Sequence, residues 1–381
     1  MDFSWTPQQL EFKNAVVKFA QKELNDGLIE RDRAGELSRE NWQKCADFGI
    51  IGLATPEAYG GAGEDILTTM LVMEGLGYGC KDNGLIFAIN AQMWSVQHPI
   101  LAFGTEEQKQ RYLPGLCNGS LIGAHGMSEP DTGSDAYALR TRAEKVDGGY
   151  RLNGTKMFVS NAPIGNVAIV FANLNPEKGR FGITAFLVDY DTPGFRVSRD
   201  IEKMGLRTSP MGELIITDCF VPEAARLGPE GAGAQVFNSS MEWERASILA
   251  SHVGAMERQL EDSIRYARER KQFGQPIGKF QSVANRIADM KVRLETARMI
   301  LYKVAWLKKE GKPTVMEAAI AKLYLSEAFV RSSEDAMRIR GGYGYMTEFE
   351  VERDLRDALG GIFYSGTSDI QRQIIYRLLG L

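Results

Sequence analysis

The stretch YRLNGTKMFVSN, residues 150–161, is where the chain stops reading as helix. Alternation places Met157 and Val159 on one side and Phe158 and Ser160 on the other, the period of a strand. Similar runs follow: NVAIVFANL (166–174), FGITAFLVDY (181–190), GFRVSR (194–199) and ELIITDCFVP (213–222), each bounded by turn residues. Residues 121–234 therefore read as a compact β domain. Upstream, from Thr6 to about Asn118, the period is helical: Phe12, Val16, Phe19, Ala20 and Leu24 recur at three- and four-residue spacing, and GTEEQKQRYL (104–113) reads as a capped helix start. Downstream, amphipathic segments at roughly 235–271, 278–310, 314–339 and 368–379 predict an antiparallel helical bundle. Helix, then sheet, then helix gives an α+β chain in three domains, 1–120, 121–234 and 235–381. That order argues against a doubly wound sheet. GGAGED, EGAGAQ and GGYGYM come closest to a nicotinamide fingerprint, but each lacks the third glycine and the strand-to-helix setting.

At 381 residues the chain exceeds one ordinary core. Its 44% hydrophobic and 25% charged residues, with a net charge of −4, describe a globular protein without the basic excess that holds nucleic acid. Cys45, Cys80, Cys117 and Cys219 are scattered, with no C-x-x-C and no His/Cys cluster. No metal site is expected, and a reducing compartment fits. The amino terminus runs straight into helical periodicity without a signal-peptide pattern, and no apolar run approaches the roughly 18 to 20 residues that span a bilayer. A cytoplasmic location is the expectation.

Six strings, in order, carry a resemblance: EAYGGAG (57–63), MSEPDTGSD (127–135), NGTKMFVSNA (153–162), ARERKQFGQPIGKFQ (267–281), IRGGYGY (339–345) and YSGTSDIQR (364–372). Over essentially the whole chain they resemble the acyl-CoA dehydrogenase superfamily. The resemblance implies an amino-terminal helical domain, a middle β-barrel and a carboxy-terminal four-helix bundle, assembled as a homotetramer, a dimer of dimers, with one FAD per subunit. Met127 and Ser128 would then meet the flavin ring, Phe158 and Ser160 would cover one face and its polar edge, and Thr367 and Asp369 would complete that half. The family often has Gln or Glu where Asp369 stands, which would shorten any contact there. Arg270, Phe273, Gln281, Arg338, Gly341 and Gly342 would reach the FAD of a neighbouring subunit. Arginine suits a pyrophosphate because its fork matches phosphate oxygens, and glycine lets backbone come close. Ser134 would lie near the pantetheine arm of the thioester. Each string also has a plain structural reading: a Pro/Gly turn at 127–135, a strand at 153–162, a helix end rich in basic residues at 267–276.

The family reaction removes a proton beside a thioester carbonyl and so needs a general base. In many members it is a glutamate directly before the final Gly-Thr, a position held here by Ser365. A neutral serine hydroxyl is no such base. A branch typified by isovaleryl-CoA dehydrogenase carries the glutamate on a helix of the last domain, and its segment resembles SMEWERASILAS (240–251), which implies Glu244 as base beside Arg245 at the substrate. Glu242 and Glu244 lie about 200° apart around a helix, so only one faces the pocket. Glu244 shares its face with Ile248 and Ser251, while Glu242 stands at ion-pair spacing from Arg245. Ser365 keeps its backbone N–H, which in the family polarises the thioester oxygen.

Within the superfamily the ending YSGTSDIQRQIIYRLLGL and the Glu244 arrangement resemble prolyl-carrier-protein dehydrogenases, which oxidise proline tethered to a carrier's phosphopantetheine in natural-product pathways. A short branched-chain acyl-CoA dehydrogenase shares the base position. Met93 and Trp94 in NAQMWSVQ (90–97) would shorten the acyl pocket, and core packing explains them equally. Two other classes stay open: a non-catalytic flavoprotein, and a hydrolase pairing Ser365 or Ser368 with His98, His125 or His252. For the last there is no G-x-S-x-G elbow.

Overall fold

The computed structural model describes residues 4–381. Seven helices come first: α1 (Pro7–Glu23), α2 (Leu28–Ala34), α3 (Arg39–Asp47), α4 (Ile66–Gly79), α5 (Asn83–Gln92), α6 (His98–Phe103) and α7 (Glu106–Cys117). Their starts follow from local chemistry. Thr6 and Thr105 each close a capping box with the glutamine three residues on, and Pro7 occupies the first turn of α1, where its missing N–H costs nothing.

Eight strands follow: β1 (Gly123–Gly126), β2 (Arg142–Val146), β3 (Gly149–Ser160), β4 (Val167–Asn173), β5 (Ile183–Asp189), β6 (Phe195–Asp200), β7 (Met211–Pro222) and β8 (Arg226–Leu227). They form one mixed sheet in the order β6-β7-β3-β2-β4-β5-β8, with β1 parallel beside β4. The expected barrel does not close. β6 and β8 remain edges, and the two halves of the sheet meet through a single pair, Arg142 and Asn173. The halves nevertheless share a core, with Tyr150 and Leu214 from one packed with Phe186 and Val188 from the other. The opposite face of β4 and β5 lies on helices, Phe171 and Leu187 packing with Ile100, Leu113 and Val236. Burial on both faces explains why these two strands read as unbroken apolar runs.

The last region holds α8 (Gly233–Ser247), α9 (Ala250–Glu269), the short pair β9 (Lys271–Gln272) and β10 (Gln275–Pro276), α10 (Gln281–Lys309), α11 (Val315–Arg340), α12 (Gly342–Tyr345), α13 (Val351–Gly360) and α14 (Ser368–Leu378). The segment expected as one helix from 235 is broken at Ile248–Leu249, so Ile248 and Ser251 do not continue the helix of Glu244. The first and last regions share one core, and α4 crosses α9 at backbone contact: a Cβ on Gly77 would stand 2.0 Å from the Ser251 carbonyl oxygen, and one on Gly254 1.9 Å from that of Glu74. The buried Glu74 carboxylate ties the same junction, accepting from Lys13 at 2.8 Å, Tyr302 at 2.6 Å and Arg298 at 3.1 Å. A charge so enclosed needs these partners. Among the described residues no helix is long and apolar enough to cross a membrane.

Candidate active site

The centre of the site is Glu244, on the inner face of α8 and buried. Two hydroxyls donate to its carboxylate, Ser95 to Oε2 and Ser365 to Oε1. Ser95 belongs to a π-turn, Met93–Gln97, inserted between α5 and α6. Such widened turns re-aim side chains and recur at functional positions. Burial pushes the Glu244 carboxyl above the ordinary carboxylate range; the Ser365 and Ser95 hydroxyls, Arg245 and Lys322 pull it down without cancelling that rise.

Ser365 sits in the left-handed region at φ +54°, which non-glycine residues seldom occupy. Its carbonyl is held by Arg245 Nε at 3.4 Å and Gln371 Nε2 at 3.2 Å. Its own N–H has no hydrogen-bond acceptor among the described residues. Gly366 follows at φ +84°, and Thr367 caps α14 by accepting from the Ile370 N–H at 3.2 Å. Asp369 points outward to Arg372 at 2.9 Å, with its side chain 86% exposed.

Glu242 faces away. Its carboxylate accepts from the Thr314 hydroxyl at 2.6 Å and lies 3.7 Å from Lys308. The expected spacing pair with Arg245 does not form, because Arg245 turns inward to Ser365. Met93 and Trp94 are both buried: Trp94 stacks on Trp243 at 6.1 Å and donates to Asn90 at 3.0 Å. The residue of that segment that touches Glu244 is Ser95, which an apolar helix pattern conceals. Lys322 also escaped the sequence, and His252 was considered only as a hydrolase partner. Buried Lys322 donates to the Gly361 carbonyl at 2.7 Å, and burial, with Arg245 nearby, pushes its ammonium down to about 7. His252 meets the Tyr364 hydroxyl at 3.0 Å, and burial drives its imidazole down to about 3. With His98 on Ser239 and His125 packed among Phe171 and Phe237, no histidine pairs with Ser365 or Ser368. The hydrolase arrangement is absent among the described residues.

The residues expected on the flavin ring cluster where β1 meets β3. Met127 is buried and Ser128 half-buried, with the Ser128 carbonyl accepting from the Met157 N–H at 2.9 Å. Beneath them Lys156 donates to Glu129 at 2.7 Å and to the Met127 carbonyl at 3.4 Å, while Glu129 accepts from the Thr141 hydroxyl at 2.6 Å. The simple alternation expected for 156–160 is interrupted: the β3–β7 register shifts between Lys156 and Val159, and Phe158, at φ +58°, is thrown outward, 59% exposed. This is a bulge, which re-aims a side chain beside a site. Ser160, half-buried, closes the strand, and Ser134 lies exposed on the loop between β1 and β2.

The neighbour-facing set gathers separately. Arg270, Arg338, Gly341 and Gly342 line a cavity of about 620 Å³ together with Tyr266 and Tyr343. Arg270 lies over the Tyr343 ring at 5.5 Å, Gly341 has φ +59°, and a Cβ on either glycine would meet nothing. Phe273, 93% exposed, and Gln281, also exposed, flank the same end of the chain's helical region. None of Met127, Ser128, Phe158, Ser160 or Thr367 reaches this cavity.

Family models match in chain order: the acyl-CoA dehydrogenase N-terminal domain over residues 6–120, the middle domain over 124–219 and the C-terminal domain over 231–380. An L-prolyl-peptidyl-carrier-protein dehydrogenase of Pseudomonas fluorescens is 42% identical over 100% of both chains. The crystal structure of the prolyl acyl carrier protein oxidase AnaB superposes with a TM-score of 0.98 at 52% identity, covering 99% of this chain and 100% of that one. PigA with FAD and proline gives 0.97 at 40% identity, covering 100% of both. With all three domain models matched in order and full-length relatives above 40% identity, the chain belongs to the acyl-CoA dehydrogenase family.

Proposed function

We propose that this chain is an FAD-dependent acyl-thioester dehydrogenase whose substrate is an L-prolyl group on the phosphopantetheine arm of a carrier protein, acting in the cytoplasm in natural-product biosynthesis. The observation that carries the reading is the buried Glu244 carboxylate beside the unpaired Ser365 N–H. The full-length likeness to prolyl-specific relatives supports the substrate.

The residues present suit the cofactor. The guanidinium groups of Arg270, Arg338 and Arg340 and free glycine backbone around a cavity of about 620 Å³ form a donor set fit for a diphosphate. Arg270, Phe273, Gln281, Arg338, Gly341 and Gly342 would hold that part of a second copy's FAD, in a homotetramer whose three domains divide near residues 120 and 234. Met127, Ser128, Phe158, Ser160 and Thr367 would hold the flavin end of the chain's own. FAD, when bound, supplies the acceptor for the hydride that leaves with the second C–H bond. Glu244 takes the proton from the carbon next to the thioester carbonyl. The Ser365 N–H donates to the carbonyl oxygen as negative charge develops there. Arg245 and Gln371, by fixing the Ser365 carbonyl, hold that donor in place.

The test is intact-mass analysis of prolyl-carrier protein, isovaleryl-CoA and butyryl-CoA after incubation with the FAD-loaded protein. Loss of two or four hydrogens from the prolyl thioester, faster than from either CoA ester, is expected. Faster turnover of a CoA ester would overturn the substrate.

A further inference from the structure

We propose that Ser95 and Ser365 are positioning residues that act as a pair, one hydroxyl on each oxygen of the Glu244 carboxylate, holding the base in a single orientation and in its ionised form. The inference rests on the reading of Glu244 as base and extends it to two side chains that touch neither substrate nor cofactor in the mechanism above.

Both hydroxyls are presented by backbone that departs from the ordinary. Ser95 lies in the π-turn Met93–Gln97, whose neighbours Met93 and Trp94 are locked in the core. Ser365 is held at φ +54° by the bonds to its carbonyl. A left-handed conformation at a non-glycine residue persists only where its surroundings enforce it. Here it turns Oγ toward Glu244. A bare carboxylate in this enclosure would favour its neutral form, in which it cannot accept a proton. Around it stand Arg245 on α8, Lys322 on α11 and Tyr364 in the loop before Ser365, but none of these hydrogen-bonds the carboxylate oxygens, whereas both serines do. The cations supply field; the hydroxyls supply direction.

The pair also bears on the serine at 365. It does more than leave room for a base on another helix, because its hydroxyl completes that base. Hydrogen bonds to the charged form favour it, so loss of either hydroxyl raises the pH at which Glu244 ionises.

The test is titration of Glu244 in the FAD-loaded protein without substrate, by infrared difference spectroscopy of the protonated-carboxyl band that vanishes in Glu244→Gln. Ser95→Ala and Ser365→Gly are each expected to raise the midpoint by about one pH unit, and Ser95→Thr to return it. Glycine is used at 365 because it accepts φ +54° without strain. The acid limb of flavin reduction is expected to move with the band. Midpoints unchanged in both single variants would overturn the proposal, as would a band missing at every pH from all three proteins. If Ser365→Gly fails to fold, Ser95→Ala and Ser95→Thr decide alone. Retained flavin reduction by Glu244→Gln would sink the base assignment instead, and leaves the titration free to stand or fall separately.

Discussion

Glu242 and Glu244, two residues apart on α8, point to opposite sides of the helix: one carboxylate accepts from the Thr314 hydroxyl at 2.6 Å, the other is enclosed between Ser95 and Ser365. Their exchange for glutamine therefore separates structure from chemistry. Glu244→Gln is expected to fold and keep flavin while reducing it about 10²- to 10⁴-fold more slowly. Glu242→Gln should react near the unsubstituted rate and lose at most about 1 kcal/mol of stability. Stopped-flow absorbance and thermal melts of the two variants check this.

A buried base gives a pH limb of known sign. Because burial raises the Glu244 carboxyl, the rate of flavin reduction should fall as pH drops through a midpoint above the ordinary glutamate value. Lys322→Met removes a nearby positive charge and should move that limb to still higher pH. The same substitution tests linkage. The folded-state Lys322 ammonium releases its proton near 7 rather than 10.5, so between those values the unfolded chain binds more protons and stability rises with pH. Lys322→Met should flatten that rise, and melting temperature against pH measures it.

The Lys156–Glu129 pair lies under the Met127–Ser128 segment, away from water. Removing one partner leaves an uncompensated charge, so Lys156→Met is expected to cost about 3–5 kcal/mol and to weaken flavin retention. Lys156→Met combined with Glu129→Leu should recover much of the stability. Denaturant titration of the single and double variants would expose the idea as wrong if the single change were mild.

Arg270 belongs to the set assigned to a second copy. Arg270→Ala should therefore lose FAD without a large loss of fold, and Arg270→Lys should not restore it, since an ammonium lacks the bidentate fork. Flavin-to-protein ratio after gel filtration, with the mass of the eluting species, provides the check. A colourless, fully folded monomer from flavin-replete unsubstituted protein would contradict the shared site.

The order of helix, sheet and helix was legible because periods of 3.6 and 2 persist over long segments; helical angle said that only one of Glu242 and Glu244 could face inward, and the family resemblance of residues 240–251 chose Glu244. What stayed hidden depended on contacts between distant segments. The outward Phe158 comes from a register shift against β7, and nothing local to β3 demands it. The break between α8 and α9 leaves apolar spacing almost undisturbed, so the pattern ran through it. Arg245 had an acceptor at the right helical spacing and still chose a carbonyl 120 residues away. Ser95 carried no signal at all, since a serine in an apolar helix reads as a small core residue. The barrel was inherited from resemblance, and strand pairing leaves the sheet open.

The left-handed turn at Ser365, which aims its side chain at Glu244, also limits the routes by which such enzymes diverge. A glutamate introduced at 365 would bring a second carboxylate against the buried first one, and like charges so placed disfavour ionising together. The two locations for the base are thus mutually exclusive. Passage from one to the other has to run through a chain with a half-protonated acid pair or through one with no base, and either intermediate is a poor catalyst. Ser365→Glu alone is accordingly a step into a valley, and only its combination with loss of the carboxylate at 244 leads out on the other side.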